Sequence, residues 1–200
     1  NGQLTGVSWS AAYRAGTAAP FTNGTPPANE SFVIRILNDN MGVPGTQVFS
    51  TTVTNVNGVG SATRTNSGST LGTAPALTIW DYTATGLNGP TLTAGNCYWL
   101  EIANTSVLPG GTATNVSFWV TANPVPGETV AYQDDTPESI TNCGGYDAAD
   151  QIATDLTFCL NLALNNLDGL NCPIATLPAV CTNSSTNGTG ISSASNVGFN

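Results

Sequence analysis

Residues 97–102 read Cys97-Tyr98-Trp99-Leu100-Glu101-Ile102, and their pattern decides the fold class. From Tyr98 onward, every second side chain is apolar and large, a period of two that is typical of a β-strand with one face against a core. We therefore predict two faces for this strand. Tyr98, Leu100 and Ile102 point inward, and Cys97, Trp99 and Glu101 share the opposite face.

The same alternation returns in five further stretches. Their predicted inward residues are Val7, Trp9, Ala11 and Tyr13; Phe32, Ile34 and Ile36; Trp80, Tyr82 and Ala84; Val116, Phe118 and Val120; and Phe158, Leu160 and Leu162. Turn-forming residues separate the stretches at Asn38–Gly45, Asn57-Gly58 and Asn88-Gly89, and we read the two Asn-Gly pairs as tight turns with positive φ. No stretch carries a helical apolar stripe with caps. The pattern predicts an all-β protein, an antiparallel β-sandwich with jelly-roll-like connections.

The predicted sandwich occupies residues 1–163. After that the composition changes, and residues 182–188 have the small, polar side chains of a linker. We predict that residues 164–200 form a disulfide-looped linker or tail, or the start of a following module.

The side chains of this chain are poor in groups that catalyse reactions. Three arginines and no histidine face 12 carboxylates, and charged residues are 8% of the chain. Without histidine there is no Ser-His or Cys-His nucleophile pair and no histidine-based zinc site. Without lysine there is no Schiff base and no P-loop. Since hydrophobic residues, at 40%, suffice for a sizeable core, the composition predicts a folded protein that is not an enzyme.

The charge balance limits the partners. A net charge of −9 and a pI near 4.1 disfavour nucleic acid and anionic membrane surfaces. The chain contains no apolar run of about 18 residues, so we expect no membrane span. Asn1 does not open a signal peptide, and we expect a mature chain or a fragment of an exported protein, located outside the cell or on its surface.

Five cysteines fit that oxidising location, and they are Cys97, Cys143, Cys159, Cys172 and Cys181. Their spacing matches no zinc pattern. Cys172 and Cys181 flank a short segment and could close a local ring, which stabilises a fold by roughly 2.5–3 kcal/mol. The other three leave one thiol unpaired, or paired outside this chain.

Longer motifs accompany the strands, and they are residues 3–9, 27–36, 42–46, 82–84, 92–102 and 155–160. Together they resemble a family of largely uncharacterised bacterial β-sandwich domains in exported and surface proteins, often with C-terminal sorting signals. The resemblance covers about residues 1–163. It implies a sandwich and export, and it carries over no catalytic residues. The resemblance also implies a further strand before the position of Gln3, and we expect the sequence from Asn1 onward to start after that strand.

The densest acidic cluster lies between residues 134 and 155. Its candidate calcium ligands are Asp134, Asp135, Asp147 and Asp150, because carboxylate oxygens are what calcium prefers. The spacing matches neither an EF-hand nor a nonapeptide repeat. We favour a solvated acidic loop over a calcium site and expect no other cofactor.

Two tryptophans offer a stronger signal. Trp99 and Trp119 alternate with the predicted inward residues, so both are expected on polar strand faces, where indoles could stack on sugar rings. The competing interpretation is a second buried layer, or a cover supplied by a loop or a neighbouring subunit. Glu101, beside Trp99, is the best candidate for a glycosidase acid, but nothing in the sequence pairs it with a second carboxylate, and we interpret it as an outward polar residue.

Six asparagines head an N-x-Ser/Thr triplet: Asn23, Asn29, Asn104, Asn115, Asn183 and Asn187. Each is a candidate glycosylation site. In a chain so rich in asparagine, serine and threonine, chance yields several such triplets, so the signal is weak.

Two functions fit these observations. The first is a structural module of an extracellular fibre, surface layer or matrix, which self-associates by pairing of β-strands between subunits. A sandwich that starts at Asn1 would leave an open edge, and a neighbour's strand, such as the tail at residues 196–200, would complete it. The second is a carbohydrate-binding or adhesive module of a larger secreted protein, with Trp99 and Trp119 stacked on glycan.

Overall fold

The structure, a computed structural model, describes residues 1–15, 22–106, 115–122, 131–134, 151–152, 155–164 and 192–198. Every regular element in these residues is a β-strand, and the two main sheets are antiparallel and packed together. The predicted β-sandwich is therefore confirmed. None of the described residues belongs to a helix long and apolar enough to cross a membrane.

The first sheet is organised around the N-terminal strand. Its strands are β1 (Gly2–Ala15), β2 (Thr22–Asn23), β6 (Ala62–Leu71), β7 (Leu77–Thr85), β8 (Thr91–Leu92), β10 (Asn115–Trp119) and β15 (Phe158–Leu164). On one side β1 pairs with β7 and β8, and on the other it pairs with β15 and then β10. The prediction of an open edge beside the first strand is therefore wrong, because β1 is the central strand of its sheet and is paired on both sides.

The second sheet has the order β13-β12-β16-β9-β3-β4-β5. Its strands are β3 (Asn29–Asp39), β4 (Pro44–Val56), β5 (Val59–Gly60), β9 (Cys97–Asn104), β12 (Ala131–Asp134), β13 (Gln151–Ile152) and β16 (Ser192–Gly198). A further short pair joins β11 (Thr121–Ala122) to β14 (Asp155–Leu156). Two short strands from late in the chain and the C-terminal strand thus extend the sheet beyond β9.

The core lies between the two sheets and confirms the predicted inward faces of β1, β3, β7, β9 and β15. Trp9 is at its centre, stacked on Tyr82 at 5.2 Å between ring centroids and edge-on to Phe32 at 5.1 Å. Phe158, Leu160 and Leu162 pack against this cluster from the side. For these strands the period of two was enough to predict which side chains face the core, because apolar and polar residues alternate along them.

Of the two tight turns predicted at Asn-Gly pairs, one is confirmed and the other is wrong. Asn57 and Gly58 have φ values of 52° and 89° and join β4 to β5 in a tight hairpin, as predicted. The tight turn predicted at Asn88-Gly89 is wrong, because neither residue has a positive φ. Gly89 is instead required for close packing, since a Cβ there would meet the Leu4 Cβ at 2.7 Å.

Candidate functional site

The C-terminal strand β16, called the tail strand below, is an internal strand of the second sheet. It pairs antiparallel with β9 through seven residues, from Ser192 opposite Ala103 to Gly198 opposite Cys97. On its other side, β12 pairs with the first three residues of the strand. Residues 192–198, which we predicted to lie in a linker or tail or in the start of a following module, are therefore part of the second sheet.

We call the edge of β9 that receives this strand, Cys97 to Ala103, the tail slot. The opposite edge of β9 is fully used, because β3 pairs with it from Tyr98 to Asn104. Every residue of β9 after Cys97 is buried. Without the tail strand, seven consecutive residues of a buried strand would face an unpaired edge, which proteins avoid. The tail therefore pairs within its own chain at β9, whereas the predicted pairing was with a neighbouring copy at an open edge beside the first strand; pairing between copies stays a prediction.

A second group of functional candidates is a buried polar cluster around Glu30. Its carboxylate accepts hydrogen bonds from the hydroxyls of Tyr13 and Tyr82, the latter at 2.9 Å, and forms an ion pair with Arg64. The Asn104 amide donates to the Tyr13 hydroxyl at 3.0 Å. These side chains come from five strands of both sheets, so the cluster ties the sheets together at one end of the core.

This cluster holds two tyrosines in their neutral form. Burial raises the pKa of Tyr13 well above its ordinary value, and the nearby Tyr82 and Glu30 raise it further. Burial and the charge of Glu30 likewise raise the pKa of Tyr82. A tyrosinate beside the Glu30 carboxylate would place two like charges in a dry environment, which is unfavourable.

Stability is therefore expected to fall steeply above pH 10. Below that pH both tyrosines are protonated in the folded and unfolded chains, so they add no pH dependence. Above it the unfolded chain loses protons that the folded chain keeps, and the free energy of unfolding falls by about 1.4 kcal/mol per pH unit for each tyrosine. Denaturant unfolding at pH 8, 10 and 11, followed by tryptophan fluorescence, measures this slope.

The Tyr82→Phe variant is the control, and its slope should be half that of the wild type. Tyr98 does not alter the test. Burial raises its pKa, but the hydrogen bonds from Thr93 and Asn96 outweigh this and leave the pKa lowered, so its contribution lies below pH 10. Equal unfolding free energies at pH 10 and pH 11 would contradict the neutral, buried assignment.

The face of β9 turned away from the core is also buried. Glu101, with no exposed surface, forms an ion pair with Arg35, which lies directly opposite it on β3. Trp99, also fully buried, lies opposite Leu37 and donates its indole N–H to the Asp39 carboxylate at 2.8 Å. Outside the main core, this strand pair thus carries a second buried layer.

The predicted sugar platform is not formed. Trp99 has neither an exposed ring face nor a free indole N–H. Trp119 lies opposite Ala11 of β1, whose side chain faces the core, and it packs against that core with its indole N–H donated to the Thr157 carbonyl at 2.7 Å. The prediction that Trp119 points outward is wrong. Large apolar side chains occupy consecutive positions in this stretch of the sequence, so alternation does not indicate which of them face the core.

Glu101 does not have the environment of a glycosidase acid. Its carboxylate is enclosed and neutralised by Arg35, so it has no exposed surface to offer a substrate. Glu101 lies on the predicted face of β9, turned away from the core, but the expectation that this face is exposed to solvent is wrong, because Glu101 is buried there. Its observed role is to balance a buried charge.

The predicted glycosylation sites have different environments. Asn23 and Asn29 are exposed, although the Asn23 side chain hydrogen-bonds Thr78 at 2.9 Å. Asn104 is 5% exposed and bonded within the Glu30 cluster, which excludes it as an acceptor in the folded protein. Asn115 begins β10, with no side-chain description, and Asn183 and Asn187 lie outside the described residues.

The cysteines divide as follows. Cys97 carries a free, exposed thiol at the end of the tail slot, so it forms no disulfide within this chain, and the prediction that it pairs outside the chain stays a prediction. Cys159, on β15, is disulfide-bonded. Cys143, Cys172 and Cys181 lie outside the described residues, and the predicted ring between the last two stays a prediction.

The predicted calcium ligands fall almost entirely outside the described residues. Asp134 ends β12, while Asp135, Asp147 and Asp150 are not described. Within the described part of the chain, no three acidic or cysteine side chains are grouped as metal ligands. The calcium site and the solvated loop therefore stay alternatives.

Comparison of this chain with protein-family models, with curated proteins and with solved structures finds no match. The resemblance to bacterial exported domains therefore stays a prediction.

Sequence reasoning missed the Glu30 cluster. A signal was present, because all three arginines, Arg14, Arg35 and Arg64, lie within strands of a chain that has no lysine. An arginine inside a sandwich strand needs a carboxylate partner if it is buried. The identity of that partner depends on strand register, which the sequence pattern does not provide.

Proposed function

We propose that this chain is a non-catalytic structural module of an extracellular fibre, surface layer or matrix, and that its copies join by pairing of β-strands. The observation that carries the proposal is the tail strand. This strand, which residues 165–191 separate from β15 along the chain, pairs with an edge of the buried strand β9 that would otherwise be unpaired. A segment of this kind can complete the same edge on a neighbouring copy.

The use of the scarce charges supports a structural role. Two of the three arginines neutralise the buried carboxylates of Glu30 and Glu101 instead of being presented to a ligand. Removing one partner of such a pair costs stability, whereas a pair deep in the fold adds no surface chemistry. The charged groups thus serve the packing of the sheets and strands.

A second exposed edge also favours assembly. In the described part of the chain, β4 has a strand partner on its outer side only at Asn55 and Val56. Its 13 residues include no charged side chain, and Val48 and Val56 are exposed. Sandwich proteins that stay monomeric usually protect such an edge with lysine or a proline within the strand. Among the described residues this edge has no lysine, and its one proline, Pro44, is the first residue of the strand, so most of its length is suited to contact with another subunit.

Imaging of the native material tests the proposal. We expect an antibody against the folded domain to label a regular polymer or layer by immunogold electron microscopy, with pre-immune serum as the control. Label scattered over isolated single copies would contradict the proposal. The buried Trp99 leaves the carbohydrate-binding alternative without its platform, and we expect a glycan array to give flat responses.

A further inference from the structure

We propose that the tail strand is exchanged between copies, so that Ser192–Gly198 of one chain occupies the tail slot of the next. The partner is a second copy of this chain, the donor is the C-terminal strand, and the acceptor is Cys97 to Ala103 of β9. The inference rests on the proposed function and specifies how its subunits join.

The first argument is that the same bonds form in either arrangement. The seven cross-strand pairs and the pairing with β12 depend only on the strand and the slot. Exchanging an identical element between protomers therefore costs no contact. Each chain has one donor and one acceptor at different places, so successive exchange makes an open, head-to-tail chain of subunits.

The second argument is the length of the connection. Residues 165–191 span up to about 90 Å when extended, whereas a compact domain of this size has a radius of gyration of about 16 Å. Even residues 182–191 alone, which follow the last cysteine, reach about 33 Å. The strand can therefore reach a neighbouring slot.

The third argument concerns concentration. For a connection of 27 residues, the effective concentration of its own strand at its own slot is on the order of millimolar. A dilute chain therefore closes on itself. Copies that are crowded into a fibre or layer exceed that concentration locally, and the strand then pairs with the neighbour. The same sequence is thus a monomer in dilute solution and a polymer when crowded.

Cys97 provides the test, because its free thiol lies opposite Gly198. Facing residues of antiparallel strands have Cα atoms about 4.5–5.5 Å apart, which a disulfide can bridge. One full-length chain keeps Cys97. The other carries Cys97→Ser with Gly198→Cys, so a bond between the two thiols forms only when the tail of one chain occupies the slot of the other.

The two chains are mixed, assembled at millimolar concentration, oxidised and separated by non-reducing electrophoresis. The expected result is a covalent pair of chains containing the bond from Cys97 to position 198, identified by mass spectrometry, and its loss on dilution before oxidation. The matched control places the thiol at Ser195 instead. That residue faces Leu100, about 10 Å along the strand from Cys97, and should not cross-link.

The single variant Gly198→Cys, which retains Cys97, reports the closed arrangement. If it forms only a bond within one chain while electron microscopy still shows polymer, exchange is wrong and the proposed function survives. Bonds within one chain and no polymer under any condition would overturn both. Equal cross-linking from positions 195 and 198 would overturn the register on which exchange depends.

Discussion

Replacing Glu30 by glutamine is expected to lower the free energy of unfolding by about 3–5 kcal/mol. The change leaves Arg64 buried without its counter-charge and presents amide N–H groups where two tyrosine hydroxyls now donate. For a domain of this size the midpoint of thermal unfolding should drop by roughly 6–20 °C. Denaturant titration followed by tryptophan fluorescence, with a parallel calorimetric scan, measures both quantities.

Asp81→Asn is the matched control for that change. Asp81 lies on β7, adjacent to Tyr82, but it is exposed and accepts a hydrogen bond from Ser10 at 2.7 Å. Its loss should cost less than about 1 kcal/mol. Equal effects of the two variants would show that the cluster does not join the sheets. If Glu30→Gln does not fold, Tyr82→Phe, which removes one donor to the same carboxylate, provides an intermediate loss.

Much of this architecture was predictable from the sequence because alternation is a local property. Phe32, Ile34 and Ile36 share the core face of β3, and Tyr98, Leu100 and Ile102 share that of β9, as their spacing indicates. Asn57-Gly58 formed the hairpin that its tolerance of positive φ predicts. In each case the information lies within a few residues of the strand.

The faces that were predicted wrongly depend on neighbouring strands. Trp119 faces the core because β10 pairs with β1 in a register that places it opposite Ala11. Its own neighbours, Phe118 and Val120, are large and apolar as well, so alternation could not choose between the two parities. Trp99 occupies the predicted face of β9 but is buried there, because a sheet can be covered on both sides.

The tail slot and the buried ion pairs needed long-range register for the same reason. Glu30 meets Arg64 across 34 positions of sequence, and Arg35 meets Glu101 across 66. Nothing local links these partners. The position of the tail strand depends even more on long-range pairing. Ser192–Gly198 has little apolar alternation, and its position in the sheet is set by its pairing with the edge of β9. The composition shows that charged residues are scarce and that the sequence changes after residue 163. Only the pairing of strands shows which charged residues form ion pairs and which strand the late segment joins.

Replacing Arg35 by methionine is expected to cost about 3–5 kcal/mol, because Glu101 then remains buried without its counter-charge. The double variant Arg35→Met with Glu101→Leu should recover most of that loss, since two apolar side chains of similar volume need no counter-charge in the second buried layer. Denaturant unfolding of the single and double variants measures this recovery. If the double variant is as unstable as the single one, Arg35 acts through packing and not through its charge. Because Ala194 of the tail strand faces Glu101, the cross-link from Cys97 to position 198 gives a second readout. It should weaken in the single variant and return in the double, since a strand that loses its buried ion pair no longer presents an ordered tail slot.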